Sequence, residues 1–205
     1  MDLTRFETPF TSQSPMLTLP PRLSFPITTR GALGGALRAL GLARFDEALR
    51  FVHSLPYGRN SDRADPRLVL VERRGTCSTK HAFLASVGRE HGQPIRLSMG
   101  IFMMNEANTA RVGHALSSHG LTEIPEAHCY LVEGALRIDV THPGSSGLCD
   151  LELHDEHALE PEDIGTRKVA FHRAFLQRWA ADRGLDVEGV WAAREACIAA
   201  LARPR

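Results

Sequence analysis

Three residues that are far apart in the chain have the types that thiol-dependent acyl transfer requires. Cys77 follows Thr76, a residue type that commonly caps helices, so we expect the thiol to lie in the first turn of a helix. The free N–H groups and the dipole of a helix start acidify a thiol and can donate to a developing oxyanion. A nucleophilic thiol also needs an imidazole to move protons and an acceptor to orient it. We expect His128 and Asp139 to fill these two roles.

A predicted hairpin brings His128 and Asp139 together. Two runs of strand-forming residues flank a short turn that contains Glu133 and Gly134. If the turn is centred on these two residues, His128 lies directly opposite Asp139 on one face, with Cβ atoms about 4.5–5.5 Å apart. The alternation of a strand puts Cys129 on the opposite face, where we expect an inert core thiol.

The other cysteines suggest no covalent framework. Cys129, Cys149 and Cys197 are isolated, and no C-x-x-C pair occurs, so we expect neither a disulfide framework nor a structural zinc site. Residues 1–28 lack the basic region and the apolar core of a secretory signal. These features predict a cytoplasmic protein with free thiols.

The composition is that of a globular protein and argues against two classes of partner. Of the 205 residues, 43% are hydrophobic and 23% are charged, which is enough apolar material for a full core. The 24 basic residues balance the 24 acidic ones, so no excess positive charge is present to neutralise phosphates, and we expect no nucleic-acid partner. No apolar stretch is long enough to cross a bilayer, and we expect no membrane partner.

The pattern of elements predicts an α+β fold. We expect the Cys77 helix to be buried in the middle, because residues 82–87 leave it almost no polar face. It should pack on an antiparallel sheet that carries His128 and Asp139, with additional helices at both ends of the chain. The other predicted elements are helices at 44–55 and 108–119, a strand at 95–104, and two C-terminal helices around residues 169–179 and 187–201.

Two further segments lack a regular pattern. Residues 1–28 are rich in proline and are predicted to form an extended or partly disordered N-terminal arm, which leaves 29–205 as one domain. The acidic segment at 150–160 is predicted to be a solvated face or loop.

Three motifs resemble the transglutaminase-like superfamily of papain-type cysteine enzymes. They are GTCSTKHA at 75–82, AHCY at 127–130 and IDVT at 138–141. In that superfamily a G-x-C helix start is followed by a His on one strand and by an Asp in a D-x-T context on the next. The resemblance implies a papain-like core, in which the Cys helix packs on the sheet that carries the His and the Asp.

The resemblance also implies acyl transfer, with Cys77 as nucleophile, His128 as general base and acid, and Asp139 as the orienting residue. The thiolate would attack an amide or ester carbonyl to give a thioester, which water or an amine would resolve. The oxyanion would be bound by the Cys77 N–H and by a side chain of the preceding loop, for which Tyr57 and Asn60 are candidates, although turn formation is the simpler explanation of both. We expect peptidase- or amidase-type hydrolysis of a peptide, protein or small amide, without a cofactor. No oligomeric state is predicted.

Two other interpretations of these residues remain open. Cys77 and His81 lie at i and i+4 and could bind a metal ion together, with His91, His114 or His119 as further ligands. The papain-like scaffold could also serve as a non-catalytic protein-binding module. The joint presence of a thiol, an imidazole and a carboxylate at compatible positions favours the enzyme.

Overall fold

The protein has the α+β fold that its sequence predicts. The structure is a computed structural model and describes residues 19–203. In that part of the chain a four-stranded antiparallel sheet is combined with seven α-helices. None of these helices has both the length and the apolar character that crossing a membrane requires. The elements, in chain order, are α1 (Gly31–Ala39), α2 (Phe45–Ser54), α3 (Leu68–Val71), α4 (Cys77–Glu90), β1 (Arg96–Asn105), α5 (Gly113–Ser117), β2 (Glu123–Glu133), β3 (Leu136–Ile138), β4 (His154–Leu159), α6 (Arg167–Ala181) and α7 (Val187–Leu201).

The sheet has the strand order β3-β2-β1-β4. Its two central strands pair along their whole length, from Arg96 opposite Val132 to Asn105 opposite Glu123. Both strands are long and mostly buried, which matches their nearly continuous apolar sequences. Helices therefore cover both faces of the central pair.

Helix α4 is the centre of the fold. Twelve of its fourteen residues are buried, from Cys77 to Gly88, so the helix has almost no solvent-exposed face. It packs against β2 on one side and against α1 and α2 on others. The main hydrophobic core contains its Phe83, Leu84 and Val87. The predicted burial of this helix is confirmed.

A second hydrophobic core lies between the C-terminal helices and the sheet. It contains Phe102 and Ile124 from the central strands, Leu176 from α6 and Val190 from α7. The two predicted C-terminal helices are confirmed, and both contact β2. This second core brings α6 and α7 close to the start of α4.

The helix predicted at 108–119 is wrong in its first half, because α5 is only five residues long. Side chains in the preceding segment bind the backbone instead. Asn108 Nδ2 donates to the Met103 carbonyl at 2.8 Å, and the Glu106 carboxylate accepts the Gly113 N–H at 2.6 Å. Short polar side chains that compete for backbone groups in this way favour turns over a helix.

The acidic segment at 150–160 contains a strand that the sequence did not predict. Five of the six residues of β4 are exposed, so the expectation of a solvated face is met. The segment is nevertheless an edge strand, because it pairs with β1 from Leu97 opposite Leu159 to Ile101 opposite His154.

The predicted arm at 1–28 falls only partly within the described residues. From residue 19 onward the chain forms a short 3₁₀ helix at Pro21–Leu23, and both Leu23 and Ile27 are buried in the main core. Residues 1–18 lie outside the described part of the chain, where the arm stays a prediction.

Candidate active site

Cys77 is the first residue of α4, as the sequence predicts. Thr76 caps the helix: the Thr79 N–H donates to Thr76 Oγ1 at 3.4 Å, and the Thr76 N–H donates to Thr79 Oγ1 at 3.0 Å. The chain before the cap approaches the helix so closely that a Cβ on Gly75 would lie 2.7 Å from Lys80 Cγ. Cys77 is only 6% exposed. Its thiol therefore lies in an enclosed position at the positive end of the helix dipole.

His128 and Asp139 form a close pair. His128 Nε2 lies 2.7 Å from Asp139 Oδ2. An ionised carboxylate can only accept, so Nε2 carries a proton and donates it to Asp139. The ring nitrogen that remains available to a nucleophile is Nδ1. His128 is itself 6% exposed, so the pair is largely shielded from water.

The hairpin forms, but its predicted register is wrong. Glu133 pairs with Leu136, so the two-residue loop begins at Gly134. Gly134 has a φ of 59°, and a glycine with positive φ at the first loop position is typical of a type II′ turn. The register is shifted by two residues from the predicted one, which keeps His128 and Asp139 on one face as diagonal neighbours. Because β3 ends at residue 138, Asp139 reaches the imidazole from the following loop.

The loop that carries Asp139 is held by Lys80 of α4. Lys80 is fully buried, and its Nζ donates to the carbonyl oxygens of Leu55 at 2.6 Å, Val140 at 3.2 Å and Thr141 at 2.8 Å. Burial lowers the pKa of Lys80 to about 7. The ammonium form is the one that supplies three donors to these carbonyls. Lys80 therefore links α4, which begins with Cys77, to the loop that carries Asp139.

His81 makes a second tie between the same two segments. The Val140 N–H donates to His81 Nε2 at 2.9 Å, so this nitrogen is unprotonated. The ring proton is therefore on Nδ1, which donates to the Cys77 carbonyl at 2.7 Å. Burial lowers the pKa of His81, which favours this neutral form. The sequence did not assign a positioning role to Lys80 or His81, although their spacing from Cys77 places all three within about one helical turn.

Both ring nitrogens of His81 make hydrogen bonds, which argues against a metal ion held by Cys77 and His81. Cys77 and His81 share a helix turn, but no lone pair of the His81 ring is left for a metal ion. Among residues 19–203, no cluster of potential metal ligands includes either residue. These contacts argue against a metal site at Cys77 and His81.

The electrostatics of the site favour a thiolate–imidazolium pair. A hydrogen bond with the Cys129 thiol, opposed by burial and assisted by Lys168 and His128, lowers the pKa of Cys77 well below its usual range. Burial alone would lower the pKa of His128, but the Asp139 carboxylate and the Cys77 thiolate raise it well above its usual value. Burial opposes ionisation of Asp139 too, yet His128 holds the pKa of that carboxyl well below its usual range. Cys77 and His128 thus each stabilise the charged form of the other.

Cys129 lies beside Cys77, a contact that the sequence did not indicate. It is fully buried in the main core together with Cys77, and the two thiols interact. Burial raises the pKa of Cys129 well above its usual value, so this thiol keeps its proton and can donate to Cys77. The predicted core position of Cys129 is confirmed.

Cys149 lies beside the imidazole–carboxylate pair and was also missed. Its sulfur, a ring nitrogen of His128 and a carboxylate oxygen of Asp139 all lie within 4.8 Å of one another. These three residues could hold a metal ion, but His128 Nε2 is already hydrogen-bonded to Asp139. Burial raises the pKa of Cys149, in contrast to that of Cys77. Of the two thiols, Cys77 is therefore the one whose thiolate form is favoured.

The two oxyanion candidates have different surroundings. Asn60 is committed to its own loop, because its Nδ2 contacts oxygen atoms of three residues, Leu68, Glu72 and Arg74. An amide group has two hydrogens, so none is free for an oxyanion, and the turn explanation applies to Asn60. Tyr57 instead stacks on His142 with ring centroids 5.2 Å apart and lines a cavity together with Cys77.

This cavity, of about 380 Å³, opens beside the nucleophile. Its wall comes from the first turn of α4, the Tyr57 loop, the first turn of α6 and the middle of α7. His128 and Asp139 do not line it. The side chains of its wall that bear on the chemistry are Tyr57, Arg63, Cys77, Lys168, His172 and Arg194.

Comparisons with family models, curated proteins and solved structures found no match to this chain. The chemistry that the site can support therefore follows from its own geometry. The Cys77 thiol, the His128 imidazole and the Asp139 carboxylate lie close together near the start of α4, next to a cavity of small-molecule size.

Proposed function

We propose that the chain is a thiol-dependent acyl-transfer enzyme that hydrolyses an amide bond through a thioester acyl-enzyme. Cys77 is the nucleophile, His128 the general base and acid, and Asp139 the orienting residue. The observation that carries the proposal is the 2.7 Å hydrogen bond between His128 Nε2 and Asp139, which leaves Nδ1 for the thiol at the start of α4. A base oriented by a third group, next to an activated nucleophile, is the pattern of nucleophilic catalysis.

In the first step the Cys77 thiolate attacks the carbonyl carbon of the amide. The carbon–sulfur bond forms, and an electron pair of the C=O bond moves to the oxygen. Within residues 19–203, the Cys77 and Ser78 amides have no hydrogen-bond acceptor, so they are free to donate to this oxyanion. The Tyr57 hydroxyl is the side-chain candidate for a further donor.

In the second step the carbon–nitrogen bond breaks and the His128 imidazolium gives its proton to the leaving amine. Neutral His128 then takes a proton from the water that attacks the thioester. The new carbon–oxygen bond forms, the carbon–sulfur bond breaks with its electron pair returning to Cys77, and the carboxylic acid leaves, which restores the thiolate and the imidazolium. Asp139 stays ionised throughout and keeps the ring in place. Water is the abundant acceptor, so hydrolysis is favoured over transfer to an amine.

The order of the elements supports a place in the transglutaminase-like superfamily of papain-type enzymes. A buried helix begins with the cysteine, a strand of the antiparallel sheet carries His128, and Asp139 follows the next strand. This is the order that the motifs at 75–82, 127–130 and 138–141 suggest. The free cysteines fit the reducing cytoplasm, which is the compartment we propose.

Alkylation of Cys77 tests the proposal without a known substrate. The rate of iodoacetamide modification, followed at Cys77 by peptide mapping with mass spectrometry, should stay high below about pH 7, because the thiolate persists there. His128→Ala should move the profile toward that of an ordinary thiol, which loses its thiolate below about pH 8.5, while the contributions of Cys129 and Lys168 remain. Cys149→Ala is the matched control: it removes a thiol beside the same imidazole and should leave the Cys77 profile unchanged.

One result would overturn the proposal. A Cys77 rate that follows an ordinary thiol, and that does not change in His128→Ala, shows that the thiol and the imidazole are not coupled. The non-catalytic binding module would then be the better interpretation.

A further inference from the structure

Several positive electrostatic features line the cavity beside Cys77, whose wall contains one carboxylate, that of Glu195. The first turns of two helices line it, α4 through Cys77 and its neighbours and α6 through Lys168 and Val169. The first turn of α6 contains no acidic residue, and Thr166 at its N-cap makes no side-chain hydrogen bond to it. Helix N-termini carry partial positive charge and free N–H groups, and here two of them face one space.

Lys168 is the unusual residue of this wall. It is only 6% exposed, yet among residues 19–203 no carboxylate lies within 4.0 Å of its ammonium group. In those residues the side-chain polar atoms that are both fully enclosed and unpaired belong to Asn60, Thr141 and Trp179. Lys168 Nζ, which also makes no hydrogen bond there, is therefore not fully enclosed. It therefore keeps contact with the cavity. A largely buried cation with no direct ion pair, at the positive end of a helix, is unfavourable for stability, and the longer-range attraction of the Cys77 thiolate and the Glu126 carboxylate offsets only part of this cost.

Other basic residues of the same wall are neutralised within the protein. Arg194 makes a bidentate ion pair with Glu126, with nitrogen–oxygen distances of 2.7 and 2.6 Å. Arg59 pairs with Glu195 at 2.7 Å. Lys168, in contrast, makes no direct ion pair among the described residues, so its ammonium group can form one with a group that enters the cavity.

We propose that this cavity binds a carboxylate group of the substrate, with Lys168 as its ion-pair partner and the first-turn amides of α6 as additional donors. The inference rests on the proposed function and narrows its substrate class to amides that carry a carboxylate near the scissile bond, such as an acyl-amino acid or a short peptide. A volume of about 380 Å³ suits a small ligand of this kind. The exposed Arg63 lies in the same wall and adds to the attraction.

Two alkylating agents that differ in one carboxylate test this assignment. Iodoacetate and iodoacetamide react with the same thiolate, so the ratio of their rates at Cys77 cancels any change in the thiolate population. We expect the wild-type ratio to exceed that of free cysteine about tenfold, the gain from one charge-assisted hydrogen bond. Lys168→Met should bring the ratio back to that of free cysteine. Arg38→Met is the matched control, because it removes an exposed cation of α1, and it should leave the ratio unchanged.

The possible results separate two roles of Lys168. If Lys168→Met slows both reagents equally, the lysine acts only on the thiolate and the carboxylate assignment is wrong. A wild-type ratio equal to that of free cysteine would also overturn it, and this measurement needs no variant that has to fold. Low reactivity toward both reagents counts against the proposed function and leaves the carboxylate site to be decided by binding.

Binding of glutarate to the Cys77→Ala protein, measured by isothermal titration calorimetry, is independent of the nucleophile. Glutarate should bind and its diamide, glutaramide, should not, and Lys168→Met should weaken glutarate binding about tenfold or more. Inorganic phosphate is the competing oxyanion. Tighter binding of phosphate than of glutarate, or glutarate binding that does not depend on Lys168, would overturn the assignment.

Discussion

Replacing Lys80 by methionine tests whether the tie between α4 and the Asp139 loop maintains the site. Methionine keeps the length of the side chain but removes the donors to the Leu55, Val140 and Thr141 carbonyls. A hydrogen bond from a charged group contributes about 1.5–3 kcal/mol, so three of them amount to roughly 4.5–9 kcal/mol. Loss of the buried ammonium returns several kcal/mol of desolvation. We therefore expect the free energy of unfolding to fall by about 2–4 kcal/mol.

Two measurements read out this change. Urea denaturation followed by tryptophan fluorescence gives the free energy of unfolding, with Arg38→Met as the control for loss of an exposed charge. The pH profile of Cys77 alkylation reports the site itself. If the Asp139 loop loosens, His128 is held less firmly as imidazolium, and the profile should move toward that of an ordinary thiol.

The reasoning is refuted if Lys80→Met is as stable as Arg38→Met and keeps the wild-type alkylation profile. A loss of stability with an unchanged profile would restrict Lys80 to a structural role, because a positioning residue must alter the coupling between Cys77 and His128.

Two further substitutions probe buried charges near the site. Asp139→Asn should destabilise the protein by about 3 kcal/mol at about pH 5 and by less at about pH 9. The reason is that folding raises the pKa of His128, so its protonation stabilises the fold below the unfolded pKa of 6.5, and this contribution is lost as the pH rises through the folded pKa. Equal losses of stability at both pH values, measured by urea denaturation, would contradict this reasoning. Glu126→Gln removes the bidentate counter-ion of the buried Arg194 guanidinium, which keeps only Glu195 at 2.9 Å, and should cost about 3 kcal/mol by the same assay, whereas a loss under about 1 kcal/mol would show that Glu195 and water are sufficient partners for the arginine.

Features of the fold that depend on neighbouring residues in the chain could be predicted. Thr76 before Cys77, followed by a run with almost no polar face, was sufficient to place the start and the burial of α4. Gly134 between two strand-forming runs predicted a hairpin. The register was missed because it depends on which loop position the glycine takes. Since an error of two residues preserves the face, His128 and Asp139 were still expected on the same side.

Features that depend on tertiary packing could not be predicted in the same way. The first half of the helix at 108–119 is replaced by turns, because Glu106 and Asn108 bind backbone groups that a hydrophobic pattern does not reveal. Strand β4 lacks apolar alternation, since five of its six residues are exposed, and only its pairing with β1 identifies it. The two lysines, Lys80 and Lys168, are indistinguishable by residue type. Only the fold shows that one binds carbonyls and the other faces a cavity.

The placement of Cys77, Lys80 and His81 on a single helix has a consequence for tolerance to change. One residue rotates an α-helix by about 100°, so an insertion or deletion between Cys77 and Lys80 would turn the ammonium away from its carbonyls while the thiol stayed where it is. The number of residues between Cys77 and Lys80 is therefore constrained, whatever the types of the residues between them. The arrangement also means that a rigid-body shift of α4 carries the Cys77 sulfur and the Asp139 loop in the same direction, because Lys80 and His81 join this loop to the helix.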